Sequence, residues 1–303
     1  MRRSLGKKCF DLDVERNMSL FNKVYGDKEV YGAVARRIEE NYDEIKRYAF
    51  LLLKGRWKAL AKLPSIDVLS ATALSLATAK LRFAERGMSE EIFFDTMSDI
   101  KIWGEDCRRH FGEIGLREIN WIRLHIACRI FKIGRLQYQK ARYYLSAHAF
   151  GVISFGQKCF NIHIPRGGRL DREACVDSLR RAVDVFSKCF PKIRRDVMMC
   201  HSWLLGKPNA CFIKKGSNIA DFANLFEIVG ETDRACDHFR WIFDINIADR
   251  VLQDNKRKKG FYYDLSEYSP NTSLQEGAKQ YIMSGGQLKD GKGVIFVDKI
   301  INR

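Results

Sequence analysis

The stretch from Cys159 to Leu205, CFNIHIPRGGRLDREACVDSLRRAVDVFSKCFPKIRRDVMMCHSWLL, decides the fold of the chain. Its first six residues alternate in polarity and predict a strand. The middle part places Cys175, Leu179 and Phe186 on one helical face and predicts a helix. The last nine residues form an almost unbroken apolar run, which predicts a buried strand. The order is therefore strand, short basic loop, helix, strand.

The loop of residues 165–170, PRGGRL, joins the first of these strands to the helix. Gly167 and Gly168 allow the backbone to approach a ligand closely. The first N–H groups of the helix and the positive end of its dipole attract an anion, and Arg166 and Arg169 add charge. The loop predicts a phosphate-binding site, although an ordinary strand-to-helix turn has the same composition.

The sequence before residue 134 predicts helices. Apolar residues recur at helical spacing from Ile38 to Leu52, and again from Leu69 to Leu81. Ser89 predicts the N-cap of a third helix, and a further helix is predicted from Leu116 to about Ile133. This half offers no cluster of titratable residues with the geometry of a site, so we expect a helical scaffold.

The sequence after residue 134 predicts strands and helices together. Strands are expected in RLQYQKARYY (135–144), over 238–245 and over 293–298, with a helix from Ser217 to Val229. We therefore predict an α+β fold with two domains. Residues 1–133 form the helical N-terminal domain, and residues 134–303 form a mixed, mostly antiparallel sheet with flanking helices.

The charge of the chain is concentrated in one region. The formal net charge is +16, and residues 119–170 contain nine Lys or Arg and no Asp or Glu. Extension to residue 195 gives sixteen basic and four acidic residues, a surplus of +12. Such a surface attracts a polyanion, namely nucleic acid, anionic lipid or a phosphate-rich molecule such as coenzyme A. A solvated basic face without a ligand is the alternative.

Membrane and metal functions are not predicted. The longest uncharged helical stretch, Val68 to Ala79, has 12 residues, whereas a bilayer needs about 20. The nine cysteines form no CxxC pair, and Cys107 with His110 lacks the second pair that a metal site needs. We expect reduced thiols in a cytoplasmic protein, with no membrane partner and no metal.

Several short segments carry a resemblance to a known family. They are Trp121 to His125, Gly134 to Gln137, His163-Ile164-Pro165 with Gly168 and Leu170, Ser202 to Leu205, and Ser217-Asn218-Ile219. With these residues, and with its order of elements, the chain resembles a two-domain bacterial family that has a helical N-terminal domain and a GNAT-like acyltransferase C-terminal domain.

The resemblance implies that an acyl-CoA, acetyl-CoA or a longer one, is a substrate. A small-molecule or peptide amine would attack its thioester. Arg166, Gly167, Gly168 and Arg169 would bind the pyrophosphate, and a contact from Asn218 is a second interpretation of an N-cap segment. The two strands would splay and grip the pantetheine, while a base takes the proton of the amine.

Two histidines are candidates for that base. His163 shares a strand face with Asn161, away from the apolar residues, whereas His201 shares a face with Met199 and Trp203, which suggests packing. We expect His163 to be the better base; a structural histidine that holds the strand pair is the alternative. Cys200 and His201 are adjacent in a strand and point to opposite faces, so they do not form a nucleophilic dyad.

Three departures from the family pattern bear on activity. Arg169 stands where the loop usually has its first glycine, and Asp171 and Glu173 bring negative charge to the start of the helix. LFEIVG, residues 225–230, resembles a helix end at which a tyrosine often acts as acid, but Phe226 has no hydroxyl. A degenerate GNAT fold that binds acyl-CoA without turnover is therefore one alternative function.

A nucleic-acid-binding module is the other alternative. Aromatic residues interleave with the basic stretch, as base-stacking surfaces require. They are Tyr138, Tyr143, Tyr144, Phe150, Phe155 and Phe160. Several have the spacing of a strand core, and no nucleic-acid-binding signature accompanies them, so nucleic acid is the less favoured partner.

Overall fold

The chain forms two compact units, Met1–Ile133 and Gly134–Arg303. The structure, a computed structural model, describes residues 10–232, 241–243 and 265–301. Helices dominate the first unit, and a mixed sheet with helices makes up the second. Across the described ranges, every helix is too short or too polar to span a lipid bilayer.

Eight α-helices and one strand are described in the first unit. They are α1 Val14–Tyr25, α2 Lys28–Glu40, α3 Tyr42–Leu53, α4 Ser65–Ala73, α5 Leu76–Ala84, α6 Glu90–Met97, α7 Asp99–Phe111, α8 Ile119–Ile126 and β1 Ile130–Ile133. The predicted cap of α6 is present, since Ser89 Oγ accepts a hydrogen bond from the N–H of Ile92 at 3.3 Å. This satisfies one of the free donors at the start of the helix.

Two helices that the sequence predicts as continuous are broken. The first breaks at Asn41, which has a φ of −137° between α2 and α3. Asn favours helix ends because its side chain competes for backbone hydrogen bonds. The second breaks between α4 and α5, where the Ser75 hydroxyl donates to the Ala71 carbonyl at 2.8 Å. Leu81, predicted to face inward, is 53% exposed.

The helix predicted from Leu116 to Ile133 is wrong at its end. α8 stops at Ile126, Cys128 takes a left-handed conformation with a φ of 53°, and Ile130–Ile133 is a strand. Ile-Phe-Lys-Ile is rich in β-branched and aromatic residues, which favour the pleated, half-buried surface of a strand. A short apolar run cannot be assigned to a helix or a strand by periodicity alone.

The second unit contains the remaining described elements. They are β2 Leu136–Arg142, β3 His148–Ala149, β4 Ile153–Ser154, β5 Lys158–His163, α9 Arg172–Cys189, β6 Val197–Ser202, α10 Asn218–Ala223, β7 Glu227–Thr232, α11 Ser273–Met283, β8 Asp290–Phe296 and α12 Val297–Ile301. In this unit the sheet strands follow the order β2-β5-β6-β8-β7. β5 and β6, connected through α9, are parallel, and the other neighbouring pairs are antiparallel. The sheet is therefore mixed and mostly antiparallel, as predicted.

The two faces of this sheet bury different residues. On one face Phe160 of β5 stacks on Phe186 of α9, with ring centroids 4.0 Å apart. On the other face Cys159, Met199 and Val294 form an apolar cluster with residues of the 143–153 segment. Because side chains alternate along a strand, this second face also carries the polar residues at the far ends of β5 and β6.

Three predictions in this half need correction. The helix predicted from Ser217 to Val229 ends at Ala223, and the strand β7 begins at Glu227. β6 ends at Ser202, where a short 3-10 helix begins. Of the strand predicted over 238–245, residues 238–240 and 244–245 lie outside the described residues, and Trp241 and Ile242 are helical.

Candidate active site

The candidate histidines lie beyond the point where β5 and β6 pair. These parallel strands have a single register pair, Asn161 with Met199, whereas β2 and β5 have six. His163 and His201 each follow that pair by two residues. Paired residues share a sheet face and side chains repeat every second residue, so both histidines lie on the face opposite α9.

His163 has a polar environment built by β2 and β5. Its Nε2 lies 2.8 Å from Gln139 Oε1 and 3.1 Å from the side-chain nitrogen of Asn161. An amide oxygen accepts hydrogen bonds and an amide nitrogen donates them, so the tautomer of the ring decides which of the two contacts is a hydrogen bond. An imidazole can take a proton near neutral pH, and His163 is therefore a candidate base.

The same polar cluster contains two buried atoms without a hydrogen-bond partner. Gln137 is 1% exposed and Asn161 is 6% exposed. Within the described residues, Gln137 Nε2 and Asn161 Oδ1 make no hydrogen bond. A buried unsatisfied polar atom costs about 1–3 kcal/mol, so such atoms are expected where a bound molecule completes the hydrogen bonding.

His201 lies in polar surroundings, although its sequence neighbours suggest packing. Its Nε2 is 3.1 Å from Thr232 Oγ1 on β7 and 3.8 Å from Asp290 Oδ2 on β8. The ring of Tyr144 approaches it edge-on, with centroids 6.5 Å apart. A carboxylate beside an imidazole stabilises the protonated ring, so the structure gives this histidine a feature that the sequence does not reveal.

Cys200, next to His201 in sequence, is not arranged as a nucleophile. Its side chain is fully buried, and burial, followed by the charge of Asp290, raises the pKa of its thiol well above the ordinary value. A protonated thiol is a poor nucleophile. On α7, His110 Nε2 lies 3.3 Å from Asp106 Oδ1. No group of residues suited to a metal ion occurs in the described part of the chain.

The loop between β5 and α9 is held in place by Arg135. The guanidinium donates to the carbonyls of Arg169 at 2.8 Å, Pro165 at 3.1 Å and Gly168 at 3.3 Å. N–H and C=O point in opposite directions across a trans peptide, so the N–H groups that follow these carbonyls point away from Arg135. The three N–H groups, those of Arg166, Arg169 and Leu170, are therefore not engaged by this guanidinium.

The two glycines of this loop have left-handed backbone conformations. Gly167 and Gly168 have φ values of 86° and 72°, and no heavy atom lies within 4 Å of a Cβ added at either. Only glycine adopts such angles without strain. The loop is therefore open to solvent on the side where a side chain would project.

The acidic start of α9 is partly neutralised. Asp171 makes no cap hydrogen bond; its Oδ1 accepts from the side-chain amide of Asn218 at 3.0 Å and lies 3.5 Å from Arg169 Nε. The expected repulsion of a phosphate by Asp171 is thereby reduced, and the N–H groups of the first turn are not capped by it. Ser217, rather than Asn218, caps α10, through the N–H of Ala220.

Phe226 does not occupy a helix end. It lies between α10 and β7, is 8% exposed, and its ring is 5.1 Å from that of Phe222. The resemblance of residues 225–230 to a helix with a terminal acid is therefore wrong, because Ile228 and Val229 belong to a strand.

The described cavities are lined by residues of the first unit. Two open cavities in the first unit have volumes of about 610 and 660 Å³. One lies between α1 and α2, and the other is lined by residues 60–68 and 113–117. Neither is lined by a predicted site residue. Of the aromatic residues proposed for base stacking, Tyr138, Tyr143 and Phe160 are fully buried.

Sequence reasoning missed several members of the site. Arg135 stands between Gly134, which has a φ of 63°, and the first residue of β2, and this turn before a strand is the signal in the sequence that could identify it. Gln139 faces Asn161 in the antiparallel register. Thr232 and Asp290 come from β7 and β8, and no pattern in the sequence pairs them with His201.

Solved structures share this architecture at low sequence identity. An acyltransferase in complex with decanoyl-CoA is 19% identical, covers 93% of this chain and 88% of its own, and has a TM-score of 0.69. An acyltransferase in complex with decanoyl-CoA and teicoplanin is 17% identical, covers 96% and 91%, and has a TM-score of 0.73. At these identities the likeness concerns the fold. No curated protein matches the chain significantly.

Two family models divide the chain between them. The N-acyltransferase N-terminal domain matches residues 11–128, and the GNAT-like C-terminal domain matches residues 130–295. The second match alone covers more than half of the 303 residues. The predicted fold class and the predicted family are both confirmed. The chain belongs to the GNAT-like C-terminal domain family and has the two-domain architecture of the N-acyltransferases.

Proposed function

We propose that the protein transfers an acyl group from an acyl-CoA to an amine. The observation that carries this proposal is the β5–α9 loop, in which Arg135 holds three carbonyls so that the following N–H groups point away from it. These N–H groups, the start of an 18-residue helix and the charges of Arg166 and Arg169 suit a pyrophosphate. The family membership supports the same donor.

The reaction needs a base close to the thioester. The amine nitrogen attacks the carbonyl carbon, a C–N bond forms, and the C–S bond breaks as the carbonyl returns. The base takes one proton from the nitrogen, and the CoA thiolate leaves and is protonated to the thiol. We assign the base to His163, which lies in the polar cluster with Gln139 and Asn161, and His201 near Asp290 is the second candidate.

The polar cluster around His163 supports the binding of a polar group there. Gln137 Nε2 offers a donor and Asn161 Oδ1 an acceptor, and both lack a partner among the described residues. A bound thioester carbonyl would accept from Gln137 Nε2, and the N–H of a bound amine would donate to Asn161 Oδ1. We propose that the acceptor is the amine of a small molecule or peptide, as the family resemblance implies.

The donor chain is proposed to be medium in length. Acyltransferases of this fold have been solved with decanoyl-CoA and octanoyl-CoA. We also propose a cytoplasmic location, which is where acyl-CoA donors and reduced thiols occur together; six of the nine cysteines are free and at least partly buried.

Calorimetry with CoA, acetyl-CoA and decanoyl-CoA tests the binding step. The double variant Arg166→Ala/Arg169→Ala should bind each at least tenfold more weakly, about 1.4 kcal/mol, because two phosphate-directed charges are lost. Equal affinity of the variant and the wild type would show that the acyl-CoA does not bind through this loop.

Release of free CoA thiol in the presence of a panel of amines tests turnover. Thiol release that depends on an amine supports the transferase. Tight acyl-CoA binding without release for any amine would favour the degenerate fold that binds without turnover.

A further inference from the structure

An exposed tryptophan lies beside the proposed phosphate loop. The guanidinium carbon of Arg166, the first arginine of the loop, is 4.9 Å from the ring centroid of Trp241. The indole retains 41% exposure with the guanidinium over it. A large aromatic surface is therefore open to solvent next to a cation that we assign to phosphate binding.

The backbone that carries this indole is anchored. Ile242 and Phe243, the next two residues, are 3% and 8% exposed and belong to an apolar cluster with Leu265 and Ala278. Phe243 also contacts Tyr268 edge-on, with centroids 5.1 Å apart. The backbone of Trp241 is thus held by the packing of the next two residues, which lowers the entropy lost when a ligand stacks on the indole.

We propose that Trp241 is the stacking platform for the adenine ring of CoA. An aromatic face beside an arginine is the combination that recognises a nucleotide, because the ring stacks on the base while the cation neutralises phosphate. In CoA the adenine is joined through a 3′-phosphorylated ribose to the pyrophosphate. A ligand whose pyrophosphate is held by residues 166–170 therefore carries its adenine close to Arg166 and its indole neighbour.

This inference rests on the proposed function. It concerns the adenine end of the donor, whereas the proposed function concerns its pyrophosphate and its thioester. The acyl group lies at the other end of the pantetheine arm, so Trp241 acts on affinity for the nucleotide end. Stacking is tolerant of base identity, so a shortened nucleotide that keeps the adenine and its phosphates should still report the contact.

The experiment compares Trp241→Leu with Trp57→Leu by calorimetry. Trp57 is a matched control, because Arg123 lies 4.8 Å from its ring centroid in the first unit, far along the chain from the loop. The probes are CoA, adenosine 3′,5′-bisphosphate and acetyl-pantetheine. Trp241→Leu should bind the first two about tenfold more weakly, about 1.4 kcal/mol. It should bind acetyl-pantetheine, which has no adenine, like the wild type.

The outcomes separate this inference from the proposed function. Trp241→Tyr keeps an aromatic face and should bind CoA nearly as the wild type does, which guards against loss of affinity through misfolding. If CoA binds the wild type and Trp241→Leu equally, the proposal that adenine stacks on Trp241 is wrong, whereas the proposed acyl transfer is unaffected. Equal weakening for acetyl-pantetheine would also overturn the platform. If CoA does not bind the wild type, both proposals fail.

Discussion

At the scale of single residues, the two histidines at the end of β5 and β6 differ in what surrounds them. His163 contacts the side-chain amides of Gln139 and Asn161, whereas His201 has the Asp290 carboxylate at 3.8 Å. A carboxylate favours the protonated form of an imidazole, whereas an amide carries no net charge. The first arrangement suits a base that is neutral before reaction.

Replacement of His163 tests that assignment. We expect His163→Gln to lower the rate of acyl transfer by about 10²–10⁴, the usual cost of removing a general base. Affinity for CoA and the melting temperature should be nearly unchanged. The rate is read from release of free thiol, and affinity from calorimetry.

Two other results would each decide against this role. A variant that melts much earlier would assign His163 to holding the strand pair. A stable variant with full activity would show that His163 is not the base. We would then expect His201 to be the base and His201→Gln to be inactive.

The cysteines differ in how easily they ionise. Burial raises the pKa of Cys159 to about 12 and that of Cys175 to about 11, whereas Cys211 is exposed. A raised pKa means that the thiolate, which is the form that alkylates, is scarce until the pH approaches those values.

The expected order of alkylation follows from these values. In the folded protein at pH 8, iodoacetamide should modify Cys211 first and leave Cys159 and Cys175 unmodified. A rise to pH 10 should keep that order, since both buried thiols remain mostly protonated. Peptide mass spectrometry reads the sites. Labelling of Cys159 as fast as Cys211 in folded protein would contradict its burial.

At the scale of elements, the β5–α9 loop is held by one side chain from the start of β2. Arg135 supplies all three guanidinium contacts to loop carbonyls. A hydrogen bond from a charged group contributes about 1.5–3 kcal/mol, so the loop geometry depends strongly on this residue. Arg135 does not itself have to touch the ligand to affect its binding.

Arg135→Met keeps the length of the side chain and removes the donors. We expect at least tenfold weaker binding of CoA and faster hydrogen exchange in residues 166–170. Arg142→Met is the control, because Arg142 donates to one carbonyl, that of Gly156, in another loop. Equal effects of the two variants, or unchanged exchange in the loop, would show that Arg135 does not position it.

Elements with strong local signals were predictable from the sequence. The β5–loop–α9–β6 order, the inward residues of α9 and the cap at Ser89 follow from alternation, helical spacing and capping chemistry. Breaks at Asn41 and Ser75 were not predicted, because apolar spacing continues across them. The strand at Ile130–Ile133 was missed because a short segment with three apolar residues fits either structure.

The candidate site was predictable only where it is local in sequence. Arg166 to Arg169 and His163 lie within one segment, and their chemistry can be read from it. Asp290 and Thr232 reach His201 through the order of strands in the sheet, and strand order is a tertiary property that single-sequence patterns do not encode.

At the scale of the whole molecule, the basic surplus of residues 119–195 remains the dominant charge feature. Three of the six aromatic residues that interleave with it are fully buried and unable to stack on bases. We therefore expect the charge to serve a compact ligand. Long polyanions attracted by charge alone bind weakly and lose affinity steeply as salt rises.

Fluorescence anisotropy with DNA and RNA oligomers at physiological salt checks this expectation. Dissociation constants should lie above the micromolar range, and CoA should remain bound when oligomer is added. Submicromolar binding of an oligomer that displaces CoA would favour the nucleic-acid-binding function.

The position of β8 in the sheet has a consequence for biosynthesis. β8 lies between β6 and β7, yet both of those strands precede it in the chain, and β7 ends at Thr232 whereas β8 begins at Asp290. A nascent chain therefore exposes an unpaired edge of apolar β6 until the later strand emerges from the ribosome. Unpaired edges recruit other chains, so slow synthesis between residues 232 and 290 would favour aggregation over folding. Chaperone capture during translation is expected to concentrate in that interval.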